Sequence, residues 1–421
     1  MKKVLLINAN ELVTCSGFSA KKGKAMQDLG ILEQGAVYME DGVIREIGTT
    51  EELSGKYMAD DCHIIDAEGK AVLPGFVDSH THFVFGGYRA DEFNWRLRGD
   101  SYLSIMERGG GIINTVRDTR AASKETLLEL GRKRLRSMLS FGVTTVEGKS
   151  GYGLELETEM KQLDVMAALE KLQPIEIVKT YLGAHAVPPE YKDGGEDRYI
   201  DEMIAVSLPY VAEHKAAEFC DIFVEKNVFS VEQGRRLLHA AKQLGFQLKI
   251  HADEMAPLGG AELAAEVGAI SADHLLQASE RGIAAMAAAG TVATLLPCTA
   301  FSLKENYARG RDMIDQGCAV ALASDFNPGS CFTESIALVF ILATLHMGLT
   351  VEEAVTALTI NGAAAVGRAD RIGSIDVGKQ ADLVILEYPS YRYIPYHLGV
   401  STVERVVKKG ILVYDNRGQE S

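Results

Sequence analysis

Between residues 71 and 369, short apolar runs alternate with longer amphipathic segments, and this alternation predicts strands and helices arranged in βα units. Eight of the apolar runs are predicted as buried strands: Val72–Asp78, Val143–Glu147, Glu176–Tyr181, Cys220–Val224, Gln247–Ile250, Ala269–Asp273, Val292–Leu296 and Ala319–Ala323. The helical patterns between them include Lys124–Leu139, Leu156–Leu172, Asp197–Lys215, Val231–Leu244 and Leu258–Val267. Eight strands in this alternation predict an α/β fold, a (β/α)8 barrel of the TIM type.

The two ends of the chain carry a different pattern, in which short β-type runs are separated by turn residues. These runs are Lys3–Ile7, Gly35–Met39, Val43–Ile47 and His63–Asp66 near the start, and Leu383–Leu386 and Val403–Val407 near the end. Because both ends share this character, residues 1–70 and 370–421 are expected to combine into one small β-sandwich domain beside a barrel domain of residues 71–369. The long connection between Phe83 and Phe141 is expected to contain short helices and to border the active site.

The composition narrows the classes of function. The 421 residues are 47% hydrophobic and 24% charged, and the formal net charge of −15 disfavours binding to nucleic acid or to an anionic membrane surface. No apolar run approaches the roughly 20 residues that cross a bilayer. The 6 cysteines form no CxxC pair and are expected to be reduced core residues. With no targeting segment recognised, the chain is expected to be a cytoplasmic protein that acts on a small molecule.

Histidines collect at one end of the predicted barrel. Of the 10 histidines, five lie at the carboxyl ends of predicted strands one, three, five and six: His80, His82, His185, His251 and His274. Active sites of such barrels form on this face. The two-residue strand period places His80 and His82 on the same side. An isolated pair of this kind is more often a hydrogen-bonded pair in a core, but the clustering favours a metal site.

Two further residues complete a candidate metal site. His251 closes the fifth predicted strand and Asp325 the eighth, so that with His80 and His82 they form a set of three imidazoles and one carboxylate. Such a set suits one divalent metal per chain, Zn2+ or Fe2+, with a position left open for water. Metal-bound water has a pKa near 7, which makes hydroxide available at neutral pH. Taken alone, Asp325 is equally well explained as a helix N-cap.

Two residues beside this set are candidates for catalysis. Glu254 follows His251 by three residues, where a carboxylate can reach water and act as general base, although a single glutamate there is more often a surface residue. His274 is one imidazole too many for a tetrahedral metal. We expect it to polarise the scissile carbonyl or stabilise the oxyanion, the alternative being that it orients a metal ligand.

These histidines and Asp325, together with Pro74-Gly75-Phe76 and the segment 373–384, resemble the metal-dependent amidohydrolase superfamily, which implies the barrel and a hydrolytic reaction. Longer strings resemble one family within it, which hydrolyses the cyclic amide C–N bond of 4-imidazolone-5-propanoate to N-formimidoyl-L-glutamate in histidine degradation. These strings are Phe83–Arg89, Lys149–Gly153, Leu182–Tyr191 and Asp325–Ser330, within a resemblance that runs from about residue 35 to 410. It implies the same activity and a homodimer.

The resemblance also assigns residues to the substrate. They are Arg89, Tyr152, His185, Glu254, Asn327, Gly329 and Ser330. Arg89 offers a planar fork to the propionate carboxylate, and the alternative is a surface ion pair. Tyr152 and His185 would donate directional hydrogen bonds, unless they only brace their loops. The turn from Asn327 to Ser330 would hold the carboxylate that appears when the ring opens, or it would cap the next helix, and both roles are compatible.

The expected mechanism is attack on the ring carbonyl by metal-activated water that Glu254 and Asp325 orient, with the metal and His274 stabilising the oxygen. Either Glu254 or Asp325 then returns the proton to the leaving nitrogen. Some superfamily members bridge two metals with a carbamylated lysine on strand four. Lys149 follows strand two instead, so one metal is expected, and Lys149 is assigned to a structural or substrate-loop hydrogen bond.

Two alternatives remain open. Another amidohydrolase that deaminates a cyclic amidine or purine would share the metal set and Glu254, but a neutral base has no carboxylate for Arg89 to bind. A catalytically inactive barrel that serves as a binding scaffold is disfavoured, because all four candidate metal ligands are present. The loop after strand seven departs from the family pattern at Cys298, Thr299 and Ser302, which changes one wall of the expected pocket.

Overall fold

The computed structural model describes residues 2–58, 61–100, 108, 110–191 and 194–418. Within this part of the chain, the strands form two eight-stranded sheets. In chain order the strands are β1 (Lys3–Val13), β2 (Ile31–Glu40), β3 (Val43–Thr49), β4 (His63–Asp66), β5 (Val72–Pro74), β6 (Phe76–Asp78), β7 (Val143–Lys149), β8 (Glu176–Ala184), β9 (Phe219–Val224), β10 (Gln247–Ala252), β11 (Ser271–His274), β12 (Val292–Leu295), β13 (Val320–Leu322), β14 (Leu383–Leu386), β15 (Val403–Lys408) and β16 (Ile411–Asp415).

Strands β6 to β13 form the barrel, and each pairs in parallel with the next strand along the chain. The ring is completed just beyond the ends of β6 and β13, where Thr81 and Phe326 form a parallel bridge. At this seam the Asp325 N–H donates to the His80 carbonyl at 3.0 Å, and the His82 N–H donates to the Phe326 carbonyl at 2.9 Å. The predicted barrel is confirmed, and three predicted metal ligands lie in its seam.

Most of the helices surround the barrel strands, whereas Thr50–Tyr57 packs against β1, β2 and β3 of the second sheet. The described residues contain the following helices: Thr50–Tyr57, Ala90–Leu97, Ile112–Ala121, Lys124–Ser140, Leu156–Leu172, Glu196–Glu202, Leu208–Glu213, Val231–Gln243, Gly260–Val267, Glu280–Ala289, Pro297–Leu303, Gly310–Asp315, Ile336–His346, Val351–Leu358, Ile360–Ala365 and Tyr393–Tyr396. None of them is long and apolar enough to cross a membrane. The expected helices in the connection from Phe83 to Phe141 are present, while residues 101–107 and 109 of that connection lie outside the described residues.

One predicted helix, Asp197–Lys215, is interrupted. The structure has two α-helices there, separated by a π-helical turn at Met203–Ser207. Pro209 explains the interruption, because proline has no N–H to donate to the carbonyl four residues earlier and its ring crowds that carbonyl. The periodicity of the apolar residues continues across the turn, which is why the pattern predicted one helix.

The first predicted barrel strand, Val72–Asp78, is wrong as a single element. The chain divides at Gly75 into β5, which pairs antiparallel with β14, and β6, which pairs with β7 in the barrel. The Gly75 N–H donates to the Asp382 carbonyl at 2.9 Å. A Cβ at position 75 would lie 2.3 Å from Thr144 Oγ1, so only glycine permits this approach. Both short strands are fully buried and mainly apolar, so the sequence shows them as one continuous run.

The second sheet combines strands from both ends of the chain, in the order β16-β15-β14-β5-β1-β2-β3, with β4 paired to β1. Leu6, Val37, Leu383, Ile385 and Val407 belong to one buried apolar cluster of this sheet. The predicted small β unit built from the two termini is therefore present. Its last strand, β16, was not predicted from the sequence, and the strand β1 extends well beyond the predicted Lys3–Ile7.

Candidate active site

A cavity of about 420 Å3 opens at the carboxyl ends of the barrel strands. The residues predicted for metal, catalysis and substrate line this cavity, with the exception of His80, which lies fully buried beneath it. A larger depression of about 700 Å3, between the helix Lys124–Ser140 and β16, lies away from all of them. The structure thus brings the predicted residues from six barrel strands and their loops to one place.

The histidines surround one point at the bottom of the cavity. Donor atoms lie within 4.8 Å of one another in three overlapping sets: His80, His82 and Asp325; His80, His251 and His274; and His82, His185 and His251. The ring centroids of His80 and His251 are 4.6 Å apart, and those of His82 and His251 are 5.5 Å apart. His80, His82, His251 and Asp325 are therefore close enough to share one ion.

The unpaired nitrogens provide a test of whether these residues fit a metal. Among the described residues, His80 Nε2, His82 Nδ1, both ring nitrogens of His251 and His274 Nδ1 are buried without a hydrogen-bond partner. Burial also holds the pKa of His80, His82 and His251 well below the ordinary histidine value, so their imidazoles are neutral. Buried polar atoms without partners are costly unless a ligand completes them. Neutral imidazoles beside a carboxylate fit a divalent transition metal.

Asp325 is held in place from several sides. Its Oδ1 lies 3.5 Å from His80 Nε2 and 3.7 Å from His82 Nε2, and its Oδ2 accepts a hydrogen bond from Thr299 Oγ1 at 2.6 Å. Burial raises the pKa of the carboxyl group to about 7 in the absence of a cation. The next helix is capped by Ser335, so Asp325 does not serve as its N-cap. Thr299, one of the residues that departs from the family pattern, thus contacts a candidate ligand.

Below the histidines lies a buried ion cluster, formed by Glu147, Lys149, Asp221, Lys249 and Asp273, all fully buried on the strands. Lys149 Nζ lies 2.7 Å from Asp221 Oδ2, 3.0 Å from Glu147 Oε1 and 3.4 Å from Asp273 Oδ2. Burial alone would lower the pKa of Lys149, but these three carboxylates outweigh it and raise the pKa. Lys149 is therefore a charged structural partner inside the barrel.

The cluster also contacts two of the histidines. Asp273 Oδ2 lies 2.7 Å from His80 Nδ1, and Asp221 Oδ2 lies 2.9 Å from His251 Nδ1. A carboxylate at one imidazole nitrogen fixes the ring and its tautomer and leaves the other nitrogen for a metal. Sequence reasoning missed this cluster. The available signal was a lysine within each of two buried strands, since a buried ammonium group requires a partner.

Glu254 and His274 lie side by side at the cavity wall, with His274 Nδ1 3.7 Å from Glu254 Oε1. Burial, with a smaller contribution from the Asp325 charge, raises the pKa of Glu254 to about 8. Burial lowers the pKa of His274 to about 4, so this imidazole is neutral. His274 and Leu275 have φ angles of 76° and 62°, in the left-handed region that non-glycine residues rarely adopt. Such strain is typical of functional sites.

Arg89 contributes a guanidinium group to the opposite wall of the cavity. Its Nε and Nη2 both lie 2.8 Å from Glu92 Oε2. Glu92 also accepts hydrogen bonds from the Gly111 N–H and from Asn114 Nδ2, each at 3.0 Å. The guanidinium packs against the backbone of Gly329, where a Cβ would lie 2.0 Å from Nη1. Arg89 thus lines the cavity and forms an ion pair at the same time.

The loop that carries Tyr152 is held by a buried glutamate. Glu159 accepts hydrogen bonds from the N–H groups of Gly151, Gly153 and Leu154 at 2.7 to 2.8 Å. His185 Nδ1 lies 3.0 Å from the Gly151 carbonyl, and the His185 ring stacks on His82 at 4.8 Å. Sequence analysis did not identify Glu159, which lies on a helix outside the motifs. Tyr152 and His185 are placed together at the cavity by these contacts.

The turn after Asp325 is closed by the Asn327 side chain. Its Oδ1 accepts hydrogen bonds from the N–H groups of Gly329 at 2.9 Å and Ser330 at 2.8 Å, and its Nδ2 donates to the Asp325 carbonyl at 2.8 Å. Nδ2 also donates to Ser330 Oγ at 2.9 Å. These groups line the cavity while their amides are engaged within the turn. The arrangement gives the turn a fixed shape against Arg89.

Comparison with known proteins agrees with this geometry. Residues 71–413 match the amidohydrolase family. The chain is 60% identical to the imidazolonepropionase of Clostridium tetani, covering 98% of this chain and 99% of that protein. It is 59% identical to the imidazolonepropionase of Parabacteroides distasonis, covering 97% of this chain and 98% of that protein.

Solved structures share the fold at lower identity. An adenosine deaminase from Xanthomonas campestris with bound zinc superposes with a TM-score of 0.74 at 19% identity, covering 100% of this chain and 95% of the other. Guanine deaminase from E. coli superposes with a TM-score of 0.74 at 16% identity, covering 99% of both chains. At these identities the two structures establish a common architecture.

Proposed function

This chain belongs to the imidazolonepropionase family of the amidohydrolases, and on that premise we propose that it hydrolyses the cyclic amide C–N bond of 4-imidazolone-5-propanoate to N-formimidoyl-L-glutamate in histidine degradation. The observation that supports the proposal most strongly is the composition of one cavity. It combines imidazoles and a carboxylate that suit a metal, a glutamate with a raised pKa, and an arginine. Metal-assisted hydrolysis of a ring amide that bears a carboxylate would use each of these groups.

The superfamily is metal-dependent, and the donor groups of this cavity fit a divalent ion. We assign His80, His82, His251 and Asp325 to one Zn2+ or Fe2+ per chain. When bound, such an ion lowers the pKa of a water molecule and polarises a carbonyl oxygen. The buried ion cluster orients His80 from below through its hydrogen bond with Asp273, and it places Asp221 Oδ2 2.9 Å from His251 Nδ1.

Glu254 is assigned to proton transfer. Its carboxylate accepts the proton of the attacking water, whose oxygen bonds to the ring carbonyl carbon. When the ring C–N bond breaks, Glu254 returns that proton to the leaving nitrogen. The carbonyl carbon becomes a carboxylic acid, which releases the second proton of the water to solvent and leaves the new carboxylate. Its raised pKa makes Glu254 a stronger base than an ordinary carboxylate and a competent acid for the second step. His274, neutral and beside Glu254, stabilises the carbonyl oxygen as negative charge develops on it.

The remaining groups orient the substrate. Arg89 binds the propionate carboxylate, and its contact with Glu92 fixes the guanidinium in one plane. We assign Tyr152 and His185, which line the cavity together, to hydrogen bonds with the substrate. The turn at Asn327, Gly329 and Ser330 closes the end of the cavity near Asp325, where the new carboxylate appears.

The test is a direct assay of the purified, metal-analysed protein with freshly generated 4-imidazolone-5-propanoate, following the loss of its ultraviolet absorbance. A sample without enzyme corrects for spontaneous decay of the substrate. We expect enzyme-dependent decay that yields N-formimidoylglutamate and stops after chelation. No acceleration by the metal-loaded protein would reject the proposed substrate and favour deamination of a cyclic amidine or purine, which the same preparation can be assayed for.

Three finer points of the proposal have their own tests. One ion per chain predicts a metal content near one equivalent by elemental analysis, and about two equivalents would contradict it. A homodimer, suggested by the family resemblance, predicts twice the chain mass in light scattering. A cytoplasmic enzyme of a small-molecule substrate, without affinity for nucleic acid, predicts recovery in the cytosolic fraction free of bound nucleic acid.

A further inference from the structure

A second arginine, Arg96, lines the same cavity wall as Arg89. It lies on the helix Ala90–Leu97. Its Nη2 donates a hydrogen bond to the Gly329 carbonyl at 3.0 Å, and its guanidinium lies over the Phe93 ring, 5.4 Å from the centroid. Arg89 packs against the same Gly329 from its Cα side. The two guanidinium groups therefore meet at one residue of the turn that closes the cavity.

Arg89 has an ion-pair partner, whereas Arg96 has none among the described residues. Glu92 lies 2.8 Å from two nitrogens of Arg89, so that cation already has an anion. Asp100, which also lines the cavity, is paired with Arg108 at 3.1 Å. Among the described residues, no carboxylate lies within ion-pair distance of Arg96. Burial and the neighbouring charge of Arg89 lower the pKa of Arg96, and the more distant charge of Glu92 offsets this lowering only in part.

We propose that Arg96 is a specificity-determining residue of the substrate carboxylate site. Glu92 neutralises the charge of Arg89, and Arg96 supplies the positive charge that attracts the substrate carboxylate. This inference rests on the proposed function, since the substrate must carry the carboxylate. The pair Arg89–Glu92 is neutral as a unit, so without Arg96 this wall would offer an anionic substrate hydrogen bonds but no net charge. With Arg96, the described residues of this wall carry two guanidinium groups and the single carboxylate of Glu92, and the propionate neutralises the excess positive charge.

The geometry leaves Arg96 able to bind. A guanidinium group has five N–H donors, and the contact with Gly329 engages one nitrogen of the group. The contacts with Phe93 and Gly329 hold the group at the cavity wall in the absence of substrate, which reduces the entropy lost on binding. Because a carboxylate and an isosteric amide differ in charge at nearly equal size, Arg96 would discriminate between them.

The test compares the wild-type, metal-loaded protein with R96Q, R96K and the control R98Q. Arg98 is exposed, lies two residues further along and does not line the cavity, so R98Q removes the same charge outside it. Two measurements are made on each protein: kcat and KM for 4-imidazolone-5-propanoate, and calorimetric affinity for imidazole-propanoate and for its neutral amide. Thermal unfolding of each variant checks that it is folded.

For R96Q we expect KM to rise by about tenfold or more with kcat within about threefold, since a lost charge-assisted contact remote from the reacting atoms weakens binding uniformly. Affinity for imidazole-propanoate falls by a similar factor while affinity for the amide stays constant. R96K restores part of the loss, and R98Q leaves both unchanged. Equal losses for acid and amide, or an unchanged KM, would overturn the proposal and assign Arg96 to supporting the turn.

The two proposals fail in different ways. If the wild-type protein binds the acid more tightly than the amide but does not hydrolyse 4-imidazolone-5-propanoate, the proposed substrate is wrong and the anion site stands. If it hydrolyses the substrate and R96Q has wild-type KM, the proposed function stands and the role of Arg96 is wrong. A wild-type protein that binds acid and amide equally would overturn the anion site directly.

Discussion

At the bottom of the cavity, buried charged groups pair with one another inside the protein, whereas at its rim Arg96 has no carboxylate within ion-pair distance among the described residues. The buried ion cluster comes from β7, β9, β10 and β11, and both lysines contact at least two of its carboxylates. The rim is built from connections and from the short helix Ala90–Leu97, where Arg89 pairs with Glu92 and no described carboxylate lies within ion-pair distance of Arg96. The strands and the residues directly after them therefore bring together the proposed metal ligands, and the connections supply the groups that we propose bind the substrate.

The two regions differ in the kind of ligand that their unpaired groups can bind. At the bottom, imidazole nitrogens of His80, His82, His251 and His274 are among the buried atoms without a hydrogen-bond partner, and such nitrogens are ligands for a cation. At the rim, Arg96 has no ion-pair partner among the described residues, and a guanidinium group binds an anion. The bottom therefore offers ligands for a cation, and the rim offers a positive charge to an anion. Variants that change one region alone can test this division.

The largest effect is expected from H251A, which removes a candidate metal ligand at the bottom of the cavity. We expect metal content to fall and substrate decay to drop to the level of the sample without enzyme, because a lost ligand both weakens metal binding and disturbs water activation. Elemental analysis and the ultraviolet assay measure the two effects. Full activity at wild-type metal content would remove His251 from the ligand set.

The next effect is expected from E254Q, which keeps the shape of the side chain and removes its basicity. Loss of a general base typically lowers kcat by about 10²- to 10⁴-fold, and we expect this loss without a change in metal content. The rim is untouched, so affinity for imidazole-propanoate should remain near wild type. Wild-type kcat in this variant would exclude Glu254 from proton transfer.

D273N tests whether Asp273 orients His80, a proposed metal ligand. Asp273 contacts His80 Nδ1 and both lysines of the cluster, so its replacement by a neutral amide should weaken metal affinity by about 10- to 100-fold. Competition with a chelator of known affinity measures this. We expect KM at saturating metal to change little. If KM rises while metal affinity stays constant, bottom and rim are not separate in the way described.

E159Q is the counterpart of D273N at the rim, because it also replaces a buried supporting carboxylate with an amide. Glu159 accepts three backbone hydrogen bonds in the Tyr152 loop, and replacing an ionised acceptor with an amide weakens each of them. We expect KM to rise by up to about tenfold as the loop loosens, with metal affinity unchanged. Rescue of KM by E159D, which keeps the charge, would distinguish positioning of the loop from a general loss of stability, which thermal unfolding reports separately.

The barrel and most of its chemistry were predictable because they are local in the sequence. Strand and helix periods are read over ten to twenty residues, and a motif such as Asp78-Ser79-His80-Thr81-His82 carries its own position at the end of a strand. His82, His251, Glu254 and Asp325 line one cavity as expected. The single strand Val72–Asp78 was wrong because burial looks the same in either sheet, and sheet membership depends on distant partners.

The sequence by itself determined the alternation of strands and helices, the histidines at the strand ends and the family of the chain. Only the tertiary structure decided how charges are paired, since Lys149 meets Asp273 across 124 positions and Arg96 meets Gly329 across 233. The physical reason is that backbone periodicity is set by neighbours along the chain, whereas the partner of a buried charge is whichever group the fold brings within a few ångströms. Arg96, which has no ion-pair partner among the described residues, can therefore be recognised only from the tertiary structure.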